Sequence, residues 1–281
     1  MPEIMPSIYS IIPQEFNVSG KYHNPNASEG VPLHPFMCGV IGGSRTNKTD
    51  TAIVTMMKCD NFGKIEIYAK NTGETIYNWL TEMAQDLPED IISVSDDLSQ
   101  LRAPEEFDNS IQTLIIIDDF VLEKNQGQVP AIAQRGMKMN ISLFYISQNF
   151  YAIDKNIRKN FNYLILKSIN SLKEIKLIIK QYAMTEDPDE IVKMYKSAIK
   201  KKTDFVLVDL YNQSELLKFR KNFDMFYCPI QKKWLSIKDI QKCPNYNKKK
   251  DDNDPLVEKV EKEDKTKKSK KKSKKIRKKR I

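Results

Sequence analysis

An α/β fold with a mostly parallel central sheet is what the sequence predicts, on three observations. From Pro35 onward, short apolar runs alternate with longer amphipathic stretches. Several of those runs are apolar at consecutive positions, as strands covered on both faces are. Helix-forming segments separate them, and that alternation gives a parallel sheet flanked by helices, with ligand sites at the carboxyl ends of its strands.

In chain order the expected strands are FMCGVI (36–41), KIEIYA (64–69), IISVS (91–95), TLIIID (113–118), ISLFYIS (141–147), YLILKS (163–168) and FVLVDL (205–210). Residues 49–58, 74–86, 129–139 and 154–161 have helical character. A helical pair follows at 171–183 and 188–201, opened by SLKE and DPDE, sequences suited to helix starts. Residues 1–33, rich in Pro, Asn, Ser and Gly, are expected to be an irregular arm, and residues 34–246 the folded domain. No internal repeat and no second globular domain is expected.

The charge is divided unevenly. Residues 248–281 hold 17 Lys and Arg against 7 Asp and Glu; of the 46 basic and 37 acidic residues in the chain, that leaves 29 and 30 for residues 1–247. The core is therefore near neutral, and the excess positive charge is C-terminal. The tail from 247, ending KTKKSKKKSKKIRKKRI, has almost nothing to pack and is expected to be disordered and solvated. It suits either a localisation role or a salt-dependent contact with nucleic acid.

Cys38, Cys59, Cys228 and Cys243 form no C-x-x-C pair, and with only His23 and His34 beside them a zinc site is not expected. The N-terminus lacks a basic region followed by an apolar run, and no segment reaches the roughly 20 apolar residues of a membrane span. An intracellular, reducing location with no membrane partner is the resulting expectation.

The chemistry starts at GVIGGSRTNKTDT, residues 39–51. Laid against the phosphate-loop pattern G-x-x-x-x-G-K-[ST], it matches at Gly42, Lys48 and Thr49, while Asn47 replaces the second glycine. A buried strand enters the loop and a helix leaves it, the context the motif requires. Gly42, Gly43, Ser44, Arg45, Thr46, Asn47, Lys48, Thr49 and Asp50 are thus the candidate nucleotide loop. Its backbone N–H groups would form an anion nest, Lys48 would reach the β- and γ-phosphates, and the Thr49 hydroxyl would ligate magnesium. Asparagine is the residue after glycine that best tolerates a left-handed backbone.

TLIIIDDF delivers Asp118 and Asp119 to a strand end, where Asp118 can hold the magnesium and Asp119 can orient the attacking water. ISLFYISQNF ends its strand in Ser147 and Gln148. If that strand lies beside TLIIIDD, Gln148 is placed to sense the γ-phosphate or the water.

Together, GGSRTNKT, TLIIIDDF, RGMKMNISLFYISQNF and IRKNFNYLILKS resemble the genome-packaging ATPases of large DNA viruses and virophages, in the FtsK-HerA superfamily of P-loop NTPases with RecA-like cores. The similarity spans roughly residues 35–210 and rests on four motifs in the right order. It implies an ATP- and Mg2+-dependent motor, a homo-oligomeric ring that moves double-stranded DNA into a capsid and meets capsid or portal-region proteins. The resemblance places the protein in a viral factory of the host cytoplasm or in the virion. It also makes Arg158, in the I-R-x-N element, a candidate finger acting on a neighbouring subunit's nucleotide. Arg135 stands where relatives often read G-R-H and has no assigned role. Residues 124–135 are a better guess for a DNA-contacting loop than the acidic stretch 96–108. Two rivals stay open: a decayed nucleic-acid-binding protein that does not hydrolyse, and a nucleotide kinase, although residues 170–203 contain no arginine for a lid.

Overall fold

A computed structural model describes residues 30–243 apart from 61, 89–90, 183–187 and 213. The arm before residue 30 and the tail from 247 lie outside the described residues. The chain divides into two compact units, Met1–Ser236 and Ile237–Ile281. The described part of the second is one short helix (Ile237–Ile240) and the residues up to 243.

The first unit carries ten strands in one sheet, in the order β10-β9-β8-β7-β6-β1-β5-β4-β2-β3. Six of them run parallel: β1 (Met37–Ile41), β2 (Lys64–Ala69), β3 (Ile92–Ser95), β4 (Thr113–Asp118), β5 (Ile141–Ser147) and β6 (Tyr163–Leu166). β7 (Val206–Asp209) then pairs antiparallel with β6 and opens an antiparallel extension. β8 (Phe219–Lys221), β9 (Met225–Cys228) and β10 (Lys233–Ser236), which the apolar patterning does not announce, complete it.

The consecutive apolar residues divide between two cores because side chains alternate across a strand. In β4, Ile115 and Ile117 join one buried cluster and Leu114 and Ile116 the other. The second cluster is covered by α1 (Lys48–Cys59), through Ala52, Ile53 and Met56, and by α2 (Thr75–Ala84), through Tyr77 and Leu80. Helices α3 (Val129–Arg135), α4 (Lys155–Arg158), α5 (Leu172–Tyr182) and α6 (Pro188–Ala198) cover the first. The helix expected over 129–139 tightens into a 3-10 turn from Gly136 to Met139.

β1 sits at the centre, with β5 on one side and β6 on the other. After β1 the chain crosses to β2, beyond β5 and β4, and it returns past β1 only in going from β5 to β6. The carboxyl end of β1 is therefore where connections part to opposite sides, the crevice in which open α/β sheets bind ligands. β5 pairs with β4 in register, Asp118 opposite Ile146, so the adjacency that Gln148 requires is met.

At the antiparallel edge, Asp209 of β7 and Arg220 of β8 form a buried ion pair. Arg220 also donates to the Gly30 carbonyl at 2.7 Å. Val31 is buried, so the last residues of the expected arm pack on the sheet.

Candidate functional site

The loop after β1 is pinned between its two neighbours. Gly42 N–H donates to the Ser147 carbonyl at the end of β5 (3.3 Å), and Gly43 N–H to the Ser168 carbonyl just past β6 (2.8 Å). Gly42 is needed for close approach: a Cβ there would lie 2.5 Å from Lys167 Cβ and 2.7 Å from Thr46 Oγ1. Beneath it, the buried Lys167 donates to Thr51 Oγ1 of α1 (2.9 Å) and to the Thr203 carbonyl (3.2 Å). Burial pushes its ammonium down to about 8.

Asn47, the departure from the motif, has φ 58 and ψ 46, the left-handed conformation a glycine would supply. Its carbonyl accepts from Thr51 N–H (3.1 Å) and Thr51 Oγ1 (2.7 Å), so α1 starts normally behind it. Because the backbone is already in place, Asn47→Gly is expected to change the ATP turnover that the sequence motifs imply by less than about threefold, as relief of a small backbone strain would. A tenfold gain in kcat would show the loop to be partly disabled by asparagine.

Lys48, the first residue of α1, folds back and donates from Nζ to the Gly43 carbonyl at 3.0 Å. Burial lowers its pKa, and the carboxylates of Asp118, Asp119 and Glu74 oppose that shift. Thr49 Oγ1 donates to Asp118 Oδ2 at 2.7 Å, joining the loop to the end of β4.

That same Oδ2 also accepts from the hydroxyl of Tyr77 at 2.6 Å. Tyr77 is 1% exposed, and the sequence does not single it out, because an aromatic on an amphipathic helix reads as core. Burial raises the pKa of Asp118, with the two hydroxyl donors pulling the other way, and raises the Tyr77 phenol above its usual range. Tyr77→Phe keeps the ring but removes one donor. For the magnesium site that the sequence motifs imply, it should raise the Mg2+ concentration giving half-maximal turnover about tenfold, as loss of a ligand-orienting hydrogen bond does. An unchanged Mg2+ requirement would reduce the tyrosine to packing.

The loop and the strand ends face one cleft of about 740 Å³. Of the residues expected from the sequence, Ser44 to Asp50 line it without a gap, together with Asp118, Asp119 and Gln148. Gly42 and Gly43 lie behind the lining. Asp119 has φ 62, a left-handed turn immediately after the strand. Arg158 is not in the lining. Its Nε donates to the Ile153 carbonyl (3.0 Å), and its guanidinium lies 5.4 Å and 5.1 Å from the ring centroids of Phe150 and Tyr151. Arg135, in the stretch suggested for DNA contact, is paired with Glu105 at 2.7 Å.

The donor set fits magnesium. Among the described residues no three His, Cys, Asp or Glu are gathered to hold an ion on their own. A Mg2+ that keeps its waters and shares phosphate oxygens takes only one or two protein oxygens, and Thr49 and Asp118 are in contact at the foot of the phosphate loop. The residues that sequence reasoning missed, Lys70, Asn71, Glu74 and Tyr77, follow β2, whose last residue, Ala69, is paired with Asp118.

Among solved structures, the fold is similar to that of the genome packaging NTPase B204 of Sulfolobus turreted icosahedral virus 2. Its complex with AMP aligns at 14% identity and TM-score 0.45, over 66% of this chain and 96% of that one. The DNA-packaging ATPase B204 of Sulfolobus turreted icosahedral virus aligns at 16% identity and TM-score 0.43, over 67% and 97%. ATPases 2 and 3 of EccC from Thermomonospora curvata align at 13% identity and TM-score 0.41, over 66% and 37%. These are distant likenesses in fold and assign no activity to the chain. No protein-family model matches the sequence, and no curated protein matches it.

Proposed function

We propose that the chain is a Mg2+-dependent ATPase that works in a ring of identical subunits to drive double-stranded DNA into a viral capsid. One observation carries the ATPase reading: Lys48, Thr49, Asp118, Asp119 and Gln148, delivered by three adjacent strand ends, line a single cleft at the switch point of the sheet. The loop N–H groups and Lys48 hold the triphosphate, the ammonium leaving the Gly43 carbonyl for phosphate oxygens. Thr49 and Asp118 hold magnesium, which when bound offsets the charge on the phosphates. Asp119 and Gln148, at the ends of β4 and β5, orient the attacking water.

The motor part of the reading is supported by the order of the four sequence motifs. Arg158 lies outside its own chain's cleft, where a residue serving a neighbour's nucleotide has to be. The stacking on Phe150 and Tyr151 would fix its direction. The left-handed backbone at Asn47 speaks against the decayed alternative.

The deciding experiment is steady-state ATP hydrolysis with and without duplex DNA, together with particle mass under the same conditions. Turnover above a Lys48→Ala control, raised by duplex DNA in particles several times the 32.7 kDa chain mass, supports the motor. Turnover no higher than that control would sink the ATPase reading, and a monomer at full activity would sink the ring.

A further inference from the structure

We infer that Glu74 accepts the proton of the water that attacks the γ-phosphate, an inference that rests on the ATP-hydrolysing reading of this cleft. Glu74 occupies the N-cap position of α2, yet its side chain makes no capping hydrogen bond. It makes no other side-chain hydrogen bond or ion pair among the described residues; what acts on it is charge, from Asp118, Asp119 and Lys48. An exposed glutamate at a helix N-cap that neither caps nor pairs is available for something else.

Its place is fixed from two directions. The loop that carries it leaves β2 beside the end of β4, where Ala69 is paired with Asp118 and Lys70 N–H donates to the Asp118 carbonyl at 3.2 Å. Three residues beyond Glu74, Tyr77 is hydrogen-bonded to the Asp118 carboxylate. Glu74 itself, extended just before the helix begins (φ −64, ψ 143), lines the same cleft as that carboxylate. Glu74 therefore stands on the β2 wall, while Asp119 and Gln148 stand at the ends of β4 and β5.

The chemistry favours a second carboxylate. Asp119 is one methylene shorter than glutamate and follows the strand in a left-handed turn, so a longer carboxylate on the neighbouring loop adds reach to the site. Partial burial and the two aspartates raise the proton affinity of Glu74, against the opposing charge of Lys48, and so improve it as a base. In the step, a lone pair of the water oxygen forms the new bond to the γ-phosphorus. The bond from that phosphorus to the bridging oxygen breaks, its electron pair leaving with ADP. One water proton passes to a Glu74 carboxylate oxygen and from there to solvent, giving ADP, inorganic phosphate and a proton.

The test uses the full chain with Mg-ATP and measures ATP affinity, kcat and thermal midpoint for the wild type, Glu74→Gln, Glu74→Ala and Lys48→Ala. Glu74→Gln is expected to lower kcat about 100-fold, within the range for loss of general base catalysis, with ATP affinity and midpoint unchanged. Acetate should restore part of the turnover of Glu74→Ala by supplying a carboxylate to the vacated space. If the wild type hydrolyses ATP and Glu74→Gln stays within threefold of it, this inference fails and the ATPase reading stands. If the wild type does no better than Lys48→Ala, the ATPase reading fails and takes the inference with it. A loss that acetate does not reverse, accompanied by a fall in midpoint, would assign Glu74 to holding the turn and overturn the inference.

Discussion

Lys48→Ala is expected to remove tight ATP binding and with it all turnover, while leaving the fold intact. The ammonium is half-buried at the foot of the cleft and rests on a backbone carbonyl that it can exchange for phosphate oxygens. A unit charge 4 Å from another is worth about 4 kcal/mol at an effective dielectric of 20. Part of that is spent on desolvation, so a net loss of about 3 kcal/mol is expected, a little over a hundredfold in Kd at 1.4 kcal/mol per tenfold. Stability should not suffer. Alanine is favoured in a helix, and the bond lost, to the Gly43 carbonyl, is one that Thr46 Oγ1 also makes at 2.8 Å. Calorimetric titration with ATP is the measurement, and a Kd within threefold of the wild type would contradict the role given to this lysine.

The parallel half of the sheet was legible in the sequence because its strands are apolar runs whose ends carry the chemistry. TLIIID matches β4 residue for residue, and ISLFYIS matches β5. The antiparallel edge was not legible. β8, β9 and β10 are three or four residues each; β8 (FRK) and β10 (KWLS) set Arg and Lys beside their apolar residues, and β9 (MFYC) is apolar but only four residues long. Their pairing depends on tight turns at Asn222 (φ 54) and Lys232 (φ 52), and lysine is a residue from which no such turn is read.

The site divides in the same way. Lys48, Thr49, Asp118, Asp119 and Gln148 stand in motifs with fixed spacing, so the sequence alone names each of them. Tyr77 and Glu74 belong to no motif. Their relation to Asp118 exists only once β2 pairs with β4, a contact across more than 40 residues that local patterning does not encode. Glu74 stands just before the helix that carries Tyr77, a place where an acidic residue ordinarily reads as a cap.

Asp118→Asn is expected to lower turnover on the order of 10²- to 10³-fold, as loss of one charge-stabilising group does, while leaving the nucleotide-free protein as stable as the wild type or more so. The two effects have one origin. Burial makes the folded chain hold the Asp118 proton more tightly than the unfolded chain does. The stability this gives is fully present below the ordinary carboxylate range and is lost as pH rises through the raised value in the folded state. Above that, the carboxylate is charged, and its burial counts against the fold until a cation arrives. Asparagine is close to the same shape and keeps an oxygen to accept from Thr49 and Tyr77, but it carries no charge to bury and none to offer magnesium. The thermal midpoint at neutral pH without Mg2+ should hold or rise by a few degrees, since about 1 kcal/mol moves a domain of this size by roughly 2–4 °C. Any rise should shrink at acidic pH, where the wild-type carboxylate is itself protonated. The wild type should gain stability from Mg2+ with a non-hydrolysable ATP analogue, and the variant much less. A variant that loses several degrees at neutral pH, or responds to Mg2+ as the wild type does, would mean that Asp118 is a structural acceptor for two hydroxyls and that the ion is held elsewhere.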